Sequence, residues 1–226
     1  MPQIFQTLKK AKRLKKSSQK WLMRQINDPF VERAKADGWR SRAAFKIIEV
    51  DEKFKIFKKG KIVVDLGAAP GGWSQYAVTK VGEGNIIAID LLEINPIVGV
   101  KFFQQDFLTP EAPQQIIDEL KKMPYNKIGK CDVVLTDMAA NTMGDHNTDH
   151  MRIIALLEES LALAEKILNV GGCFVGKVFQ GGSSDEILKQ LRQNFSIVKY
   201  FKPQSSRKDS SEIYLVALKF KEKNNV

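Results

Sequence analysis

Ile62-Val63-Val64-Asp65-Leu66-Gly67-Ala68-Ala69-Pro70-Gly71-Gly72-Trp73 decides the fold. A short β-branched run ends in an acid, passes into a loop of very small residues and meets an aromatic. β-branched side chains favour a strand, and side chains this small let the backbone come close to a bound ligand. The run therefore reads as the opening strand, loop and helix of a nucleotide-binding α/β domain. Its glycines fall as G-x-x-x-G-G, so the dinucleotide pattern G-x-G-x-x-G is not met. Asp65, beside the loop of Gly67, Gly71 and Gly72, would repel a pyrophosphate and suits a cationic or amine-bearing ligand. S-adenosylmethionine carries both a sulfonium and an amino group.

Working outward, strand-like and helix-like segments alternate. Strands are predicted at Ile62–Leu66, Asn85–Asp90, Val100–Phe103, Asp132–Thr136 and Cys173–Phe179. Helices are predicted near Trp73–Lys80, Pro113–Lys122, Thr148–Leu168 and Ser184–Asn194. Such alternation marks a parallel sheet covered on both faces. Ile197–Phe201 and Glu212–Phe220 break the pattern, because the Ser-, Lys- and Arg-rich link between them leaves no room for a helix. Two strands joined by a short polar loop pair antiparallel. Upstream, Asp28 can cap a helix whose first position is Pro29 and which Gly38 can end. A second helix is expected from Ser41 through Val50, carrying Arg42, Phe45, Lys46 and Ile47.

With 226 residues, 43% of them hydrophobic, the chain can bury one good core. Its formal net charge of +10 points to a polyanionic partner. Met1–Arg24 holds eight cations and no acid, so the remaining residues carry only +2. Residues 1–24 are therefore read as a flexible basic arm and residues 25–226 as one domain. An RNA-binding tail, a mitochondrial targeting segment and a solubilising extension all have such composition. Six Lys against two Arg favours the first, since transit segments prefer Arg. No apolar stretch is long enough to span a membrane, and no secretory signal is visible. Cys131 and Cys173 read as buried free thiols of a reducing, cytoplasmic compartment.

Ligands of an open α/β sheet sit beyond the carboxyl ends of its strands. The second strand delivers Asp90, placed to accept the two hydroxyls of a ribose. The third leads into Gln105-Asp106-Phe107, an acid and an aromatic within reach of an adenine. The fourth ends in Thr136-Asp137-Met138, and the fifth contains Lys177. A lysine inside an apolar strand costs several kcal/mol to bury as a lone charge, so it is paired, neutral or at a site, unless it snorkels to solvent. Asp137 is its natural partner, with Lys46 and Glu212 able to close the group from other directions. His146 and His150, with Asp145 and Asp149 beside them, have metal-ligand spacing only if helical. Gly144 and Asn147 argue for an irregular segment there, so no metal is expected.

The chain resembles the FtsJ (RrmJ-type) family of ribosomal RNA 2′-O-ribose methyltransferases from about Trp21 to Leu218. The resemblance is carried by Ser41 to Lys46 (SRAAFK), Asp65 to Tyr76 (DLGAAPGGWSQY), Pro96 to Val100 (PIVGV), Lys177 to Gly181 (KVFQG) and Lys202 to Arg207 (KPQSSR). It implies a Rossmann-like, S-adenosylmethionine-dependent α/β fold with a mostly parallel seven-stranded sheet ending in an antiparallel hairpin. The family's Lys-Asp-Lys-Glu tetrad falls on Lys46, Asp137, Lys177 and Glu212. Its cofactor positions fall on Gly71, Trp73, Asp90, Asp106 and Asp137. Two departures stand out: Ala140 replaces a common proline, and Gly176 a common valine.

On this resemblance the expected reaction is methyl transfer to a ribose 2′-hydroxyl of large-subunit (23S) rRNA, at a uridine in the assembled subunit, with Lys177 as base. The basic arm, Arg40, Arg42, Lys46 and the Lys202–Lys208 loop would face the RNA. A monomer is expected. The competing readings are a methyltransferase of tRNA or another RNA, a non-catalytic ribosome-assembly factor, and a dehydrogenase-like nucleotide-binding enzyme. The loop spacing and the antiparallel ending disfavour the last.

Overall fold

The computed structural model describes residues 16–138, 146–180 and 185–221. Among the described residues three helices come first: α1 (Lys16–Ile26), α2 (Pro29–Ala36) and α3 (Ala43–Phe54). The alternating part runs β1 (Val63–Leu66), α4 (Gly72–Val81), β2 (Ile86–Asp90), β3 (Val100–Gln104), α5 (Ala112–Lys121), β4 (Cys131–Thr136), α6 (His146–Ile167), β5 (Leu168–Phe179) and α7 (Asp185–Asn194). The closing hairpin is β6 (Phe195–Phe201) and β7 (Glu212–Phe220).

The seven strands among the described residues join one sheet in the order β3-β2-β1-β4-β5-β7-β6. β1 through β5 pair in parallel, and β7 runs antiparallel to both β5 and β6. The pleat sends alternate side chains to opposite faces. Val64, Leu66, Ile87 and Ile89 pack with Ile116 of α5, Leu157 and Leu161 of α6 and Leu191 of α7. Val63, Ile86, Val133 and Leu135 pack with Ile47 and Val50 of α3 and Trp73 and Tyr76 of α4. β1 is buried along its whole length, as a central parallel strand must be.

Several sequence expectations need adjustment. The last part of the basic arm is helical: α1 begins at Lys16, and Arg24 at its end pairs with Asp209 at 3.0 Å. Met1–Lys15 lie outside the described residues, as does Ala140. Leu168, expected to end a helix, opens β5, because it pairs with Cys131 across an irregularity in the β4–β5 register. His146–Asp149, expected to be irregular, form the first turn of α6, while Gly144 and Asp145 lie outside the described residues. Gly176 explains its own identity. A Cβ there would stand 2.5 Å from Leu157 Cδ1 and 3.0 Å from the Phe174 ring. α2 follows expectation, with the Asp28 side chain accepting from Phe30 N at 3.0 Å and Pro29 in the first turn.

Two buried acids fix the helices around β1. Asp51 accepts from Phe57 N at 3.0 Å and from the Tyr76 hydroxyl at 2.9 Å, tying the end of α3 to α4. Asp65 is 1% exposed and accepts from Ser74 Oγ at 2.6 Å. Burial lifts the Asp65 carboxyl to about 7; the Ser74 bond opposes this, and Asp137 and Asp90 add to it. Asp51→Ala strands two donors, so a loss of about 1–3 kcal/mol is expected by urea denaturation. Asp65 gives a pH signature. The unfolded chain releases this proton near 3.8 and the folded one near 7, so folding takes up a proton between those values. Its penalty is absent below both values and grows as pH rises, levelling off above the folded value at about 4 kcal/mol. Asp65→Asn should therefore stabilise more at about pH 8 than at about pH 5. Equal urea midpoint shifts at the two pH values would contradict this.

Candidate active site

The strand order reverses between β1 and β4, and the crevice of an open sheet lies at such a point. A cleft of about 840 Å³ opens there, a size suited to a small-molecule ligand. Gly67, Asp90, Asp106 and Asp137 line it, as the sequence predicts. Gly67 has φ +75°, and a Cβ on it would sit 2.1 Å from Met138 Cγ. Only a glycine therefore lets the exits of β1 and β4 close on each other. The loop is also held by Gly67 N and Ala68 N, which donate to Ile89 O at 2.8 and 3.0 Å.

Asp90 accepts from Ala69 N at 2.7 Å and from Leu92 N at 2.8 Å, so one carboxylate organises the glycine loop and its own. Asp106 accepts from Leu108 N at 2.9 Å. Leu91, Leu92, Phe107 and Leu108 supply apolar walls, and Leu91 and Leu92 are 64% and 67% exposed. Acids that can accept from hydroxyls and amines, beside apolar walls for a flat ring, fit S-adenosylmethionine. The wall from α6, Arg152, Leu156 and Glu159, escaped sequence reasoning because no motif marks it.

Asp65, Gly71, Gly72 and Trp73 do not line the cleft. Asp65 points at α4, as described above. Gly71 lies against Arg40 and Ile97, and Gly72 against Ser41 and Ala44, where a Cβ would meet Ser41 Oγ at 2.7 Å. Trp73 is buried, donates from Nε1 to Ala43 O at 2.9 Å and packs on Tyr214 with ring centroids 5.5 Å apart. Trp73 thus wedges α3 and β7 into place, and each of them carries a charged group of the site.

The expected quartet does assemble, and it reaches the cleft through Asp137. Lys177 Nζ lies 3.2 Å from Asp137 Oδ1 and donates to the Asp137 backbone O at 2.5 Å. Lys46 Nζ lies 3.7 Å from Asp137 Oδ2 and 2.8 Å from Glu212 Oε2. Lys177 is only 7% exposed, and the other three side chains are nearly as enclosed. Charges so buried are tolerable because each has an opposite partner. Burial opposes ionisation of Asp137, but Lys177, then Lys46, then the Tyr214 hydroxyl outweigh it, and its carboxyl is held below the usual range.

Three neighbours escaped the sequence reading. The Tyr214 hydroxyl donates to Asp137 Oδ1 at 2.7 Å, and burial followed by Asp137 and Glu212 drives its own pKa far up, so it stays a donor. Ser206 Oγ donates to Glu212 Oε1 at 3.0 Å. Glu49 accepts from Gln204 N at 2.5 Å and Ser205 N at 2.8 Å, anchoring the loop that bears Ser206 to α3. The spacing Glu212-x-Tyr214 is a legible signal, since a strand puts both side chains on one face. Arg40 and Arg42, expected to face RNA, are engaged within the protein. Arg40 donates to Asn95 O and Pro96 O, and Arg42 to Asp28 and Ser205 O.

Among the described residues no group of His, Cys, Asp and Glu could hold a metal ion, and no helix is long and apolar enough to cross a membrane. Cys131 and Cys173 are buried and unpaired by disulfide. Burial raises both thiols, that of Cys173 to about 12.

Known proteins are similar to this chain. A ribosomal RNA large subunit methyltransferase E from Azorhizobium caulinodans is 51% identical over 218 residues, covering 95% of this chain and 88% of the relative. The protein of that name from Rickettsia bellii is 51% identical over 220 residues, covering 95% and 94%. A crystal structure of a Plasmodium falciparum protein described as a ribosomal RNA methyltransferase superposes with a TM-score of 0.68 at 30% identity, covering 80% of this chain and 98% of that one. The family model for FtsJ-like methyltransferases matches residues 39–220, and with relatives half identical along nearly its whole length this chain belongs to the FtsJ-like methyltransferase family.

Proposed function

We propose that this chain transfers a methyl group from S-adenosylmethionine to a ribose 2′-hydroxyl of large-subunit (23S) ribosomal RNA. The reading extends to a uridine of the assembled subunit and to a cytoplasmic monomer acting beside the ribosome. The observation that carries it is the Lys177–Asp137–Lys46–Glu212 quartet, whose Asp137 lines the same cleft as Asp90 and Asp106. The names of the relatives support the choice of RNA.

When bound, S-adenosylmethionine would supply an electrophilic methyl carbon, whose bond to the sulfonium sulfur breaks as the bond to the ribose oxygen forms, leaving a neutral thioether. Gly67, Asp90, Asp106 and Asp137 would hold it. A ribose hydroxyl is a weak nucleophile until a base takes its proton. Lys177 Nζ, 3.2 Å from Asp137 Oδ1, is the base that accepts the hydroxyl proton as the new C–O bond forms. Asp137, kept ionised, then faces the resulting ammonium at 3.2 Å and stabilises it. The Tyr214 hydroxyl, donating to Oδ1 at 2.7 Å, fixes the Asp137 carboxylate. Lys46, held by Glu212, orients the ribose. Charge disperses as the reaction proceeds, so the enclosure of these groups helps, and placement supplies much of the acceleration.

The test is transfer of labelled methyl to large ribosomal subunits from cells lacking this protein, beside tRNA. Label is expected on one rRNA ribose. Lys177→Met should lower the rate by about 10²- to 10⁴-fold with cofactor binding kept. Methylation persisting in that variant would remove Lys177 as the base. Label confined to tRNA would move the substrate, and cofactor binding without any transfer would leave an assembly factor.

A further inference from the structure

A second cleft, of about 620 Å³, lies between the α1–α2 junction and the β6–β7 loop. Arg24, Arg42, Arg207 and Lys208 line it against only Asp28 and Asp209, and Met23, Pro29 and Phe30 give it apolar surface. Ser206 is also on its wall, and the Ser206 hydroxyl bonds Glu212 at 3.0 Å. The cleft therefore sits one hydrogen bond from the quartet. It shares no lining residue with the cofactor cleft.

The charges inside it divide into two sets. Asp28 is fully used: it caps α2, pairs with Arg42, and takes Arg207 Nε at 3.3 Å. Arg207 also donates to Gln25 at 3.1 Å. These residues build the wall. At the rim, Arg24 and Asp209 form a pair with side chains 48% and 59% exposed, and Lys208 beside them is exposed. An exposed pair of this kind is worth little and exchanges partners readily.

We infer that this cleft binds a single-stranded ribonucleotide next to the methylated one, its base on Phe30 and Met23 and its phosphate on Lys208 and Arg24. This rests on the RNA reading above. Selecting one ribose needs a splayed strand, and a splayed strand needs its neighbours held, by stacking and by phosphate contacts. In this scheme the phosphate replaces Asp209 as the partner of Arg24.

The scheme predicts effects of opposite sign from adjacent residues. Binding of the full chain to a mixed-sequence single-stranded oligoribonucleotide is measured against salt. Lys208→Ala should weaken binding and reduce the salt slope by about one. Asp209→Ala should tighten binding severalfold, because Arg24 loses its competing carboxylate; a merely structural pair predicts no gain. Lys121→Ala, on α5 across the sheet, is the control. The cleft is refuted if Lys208→Ala matches Lys121→Ala, or if Asp209→Ala binds no more tightly than the unaltered chain. Because binding is read without catalysis, these shifts appearing while large subunits stay unmethylated would sink the rRNA reading and leave the cleft standing.

Discussion

Asp137 holds the site together. Its carboxylate meets Lys177 from β5, Lys46 from α3 and the Tyr214 hydroxyl from β7, at 3.2, 3.7 and 2.7 Å. Three elements thus converge on one ionised group just beyond β4. Without it Lys177 would lose its carboxylate partner, leaving Lys46 paired with Glu212, and burial of unpaired charge is among the costliest arrangements in a protein. The same carboxylate lines the cofactor cleft, so it joins the chemistry of the quartet to the place where a cofactor would lie.

Around this centre, much of the polar network supports geometry at one remove from any ligand. Trp73 packs α3 against β7, Asp51 ties α3 to α4, and Glu49 fixes the loop that carries Ser206 to Glu212. α3 therefore depends on contacts with α4, β7 and the β6–β7 loop, consistent with its bearing Lys46. Asp65 illustrates a different balance. A buried acid lifted to about 7 costs stability at neutral pH. It also holds Ser74 at the start of α4, immediately behind the glycine loop.

The fold was largely legible along the chain. β-branched runs alternating with amphipathic stretches and a final pair of strands without a helix between them are local patterns, and the observed sheet follows them. Misplaced boundaries share a cause. Leu168 is strand because Cys131 pairs with it, and the arm is helical from Lys16, with Arg24 and Gln25 meeting Asp209 and Arg207 of a distant loop. Contacts between residues far apart in sequence leave no local signature.

The candidate site divides along the same line. The sequence by itself determined which side chains lie at the carboxyl ends of the strands, because strand polarity and spacing fix them: Asp90, Asp106, Asp137 and Lys177. It also singled out Lys46 and Glu212 as charges able to join them. Tertiary structure alone decided that Asp65 and Trp73 bond to Ser74 and Ala43 and do not line the cleft, that Arg40 and Arg42 are consumed within the protein, and that Tyr214, Ser206 and Glu49 complete the network. The physical reason is direction. A motif fixes where a backbone goes, whereas a side chain turns toward whichever partner packing brings within hydrogen-bond distance.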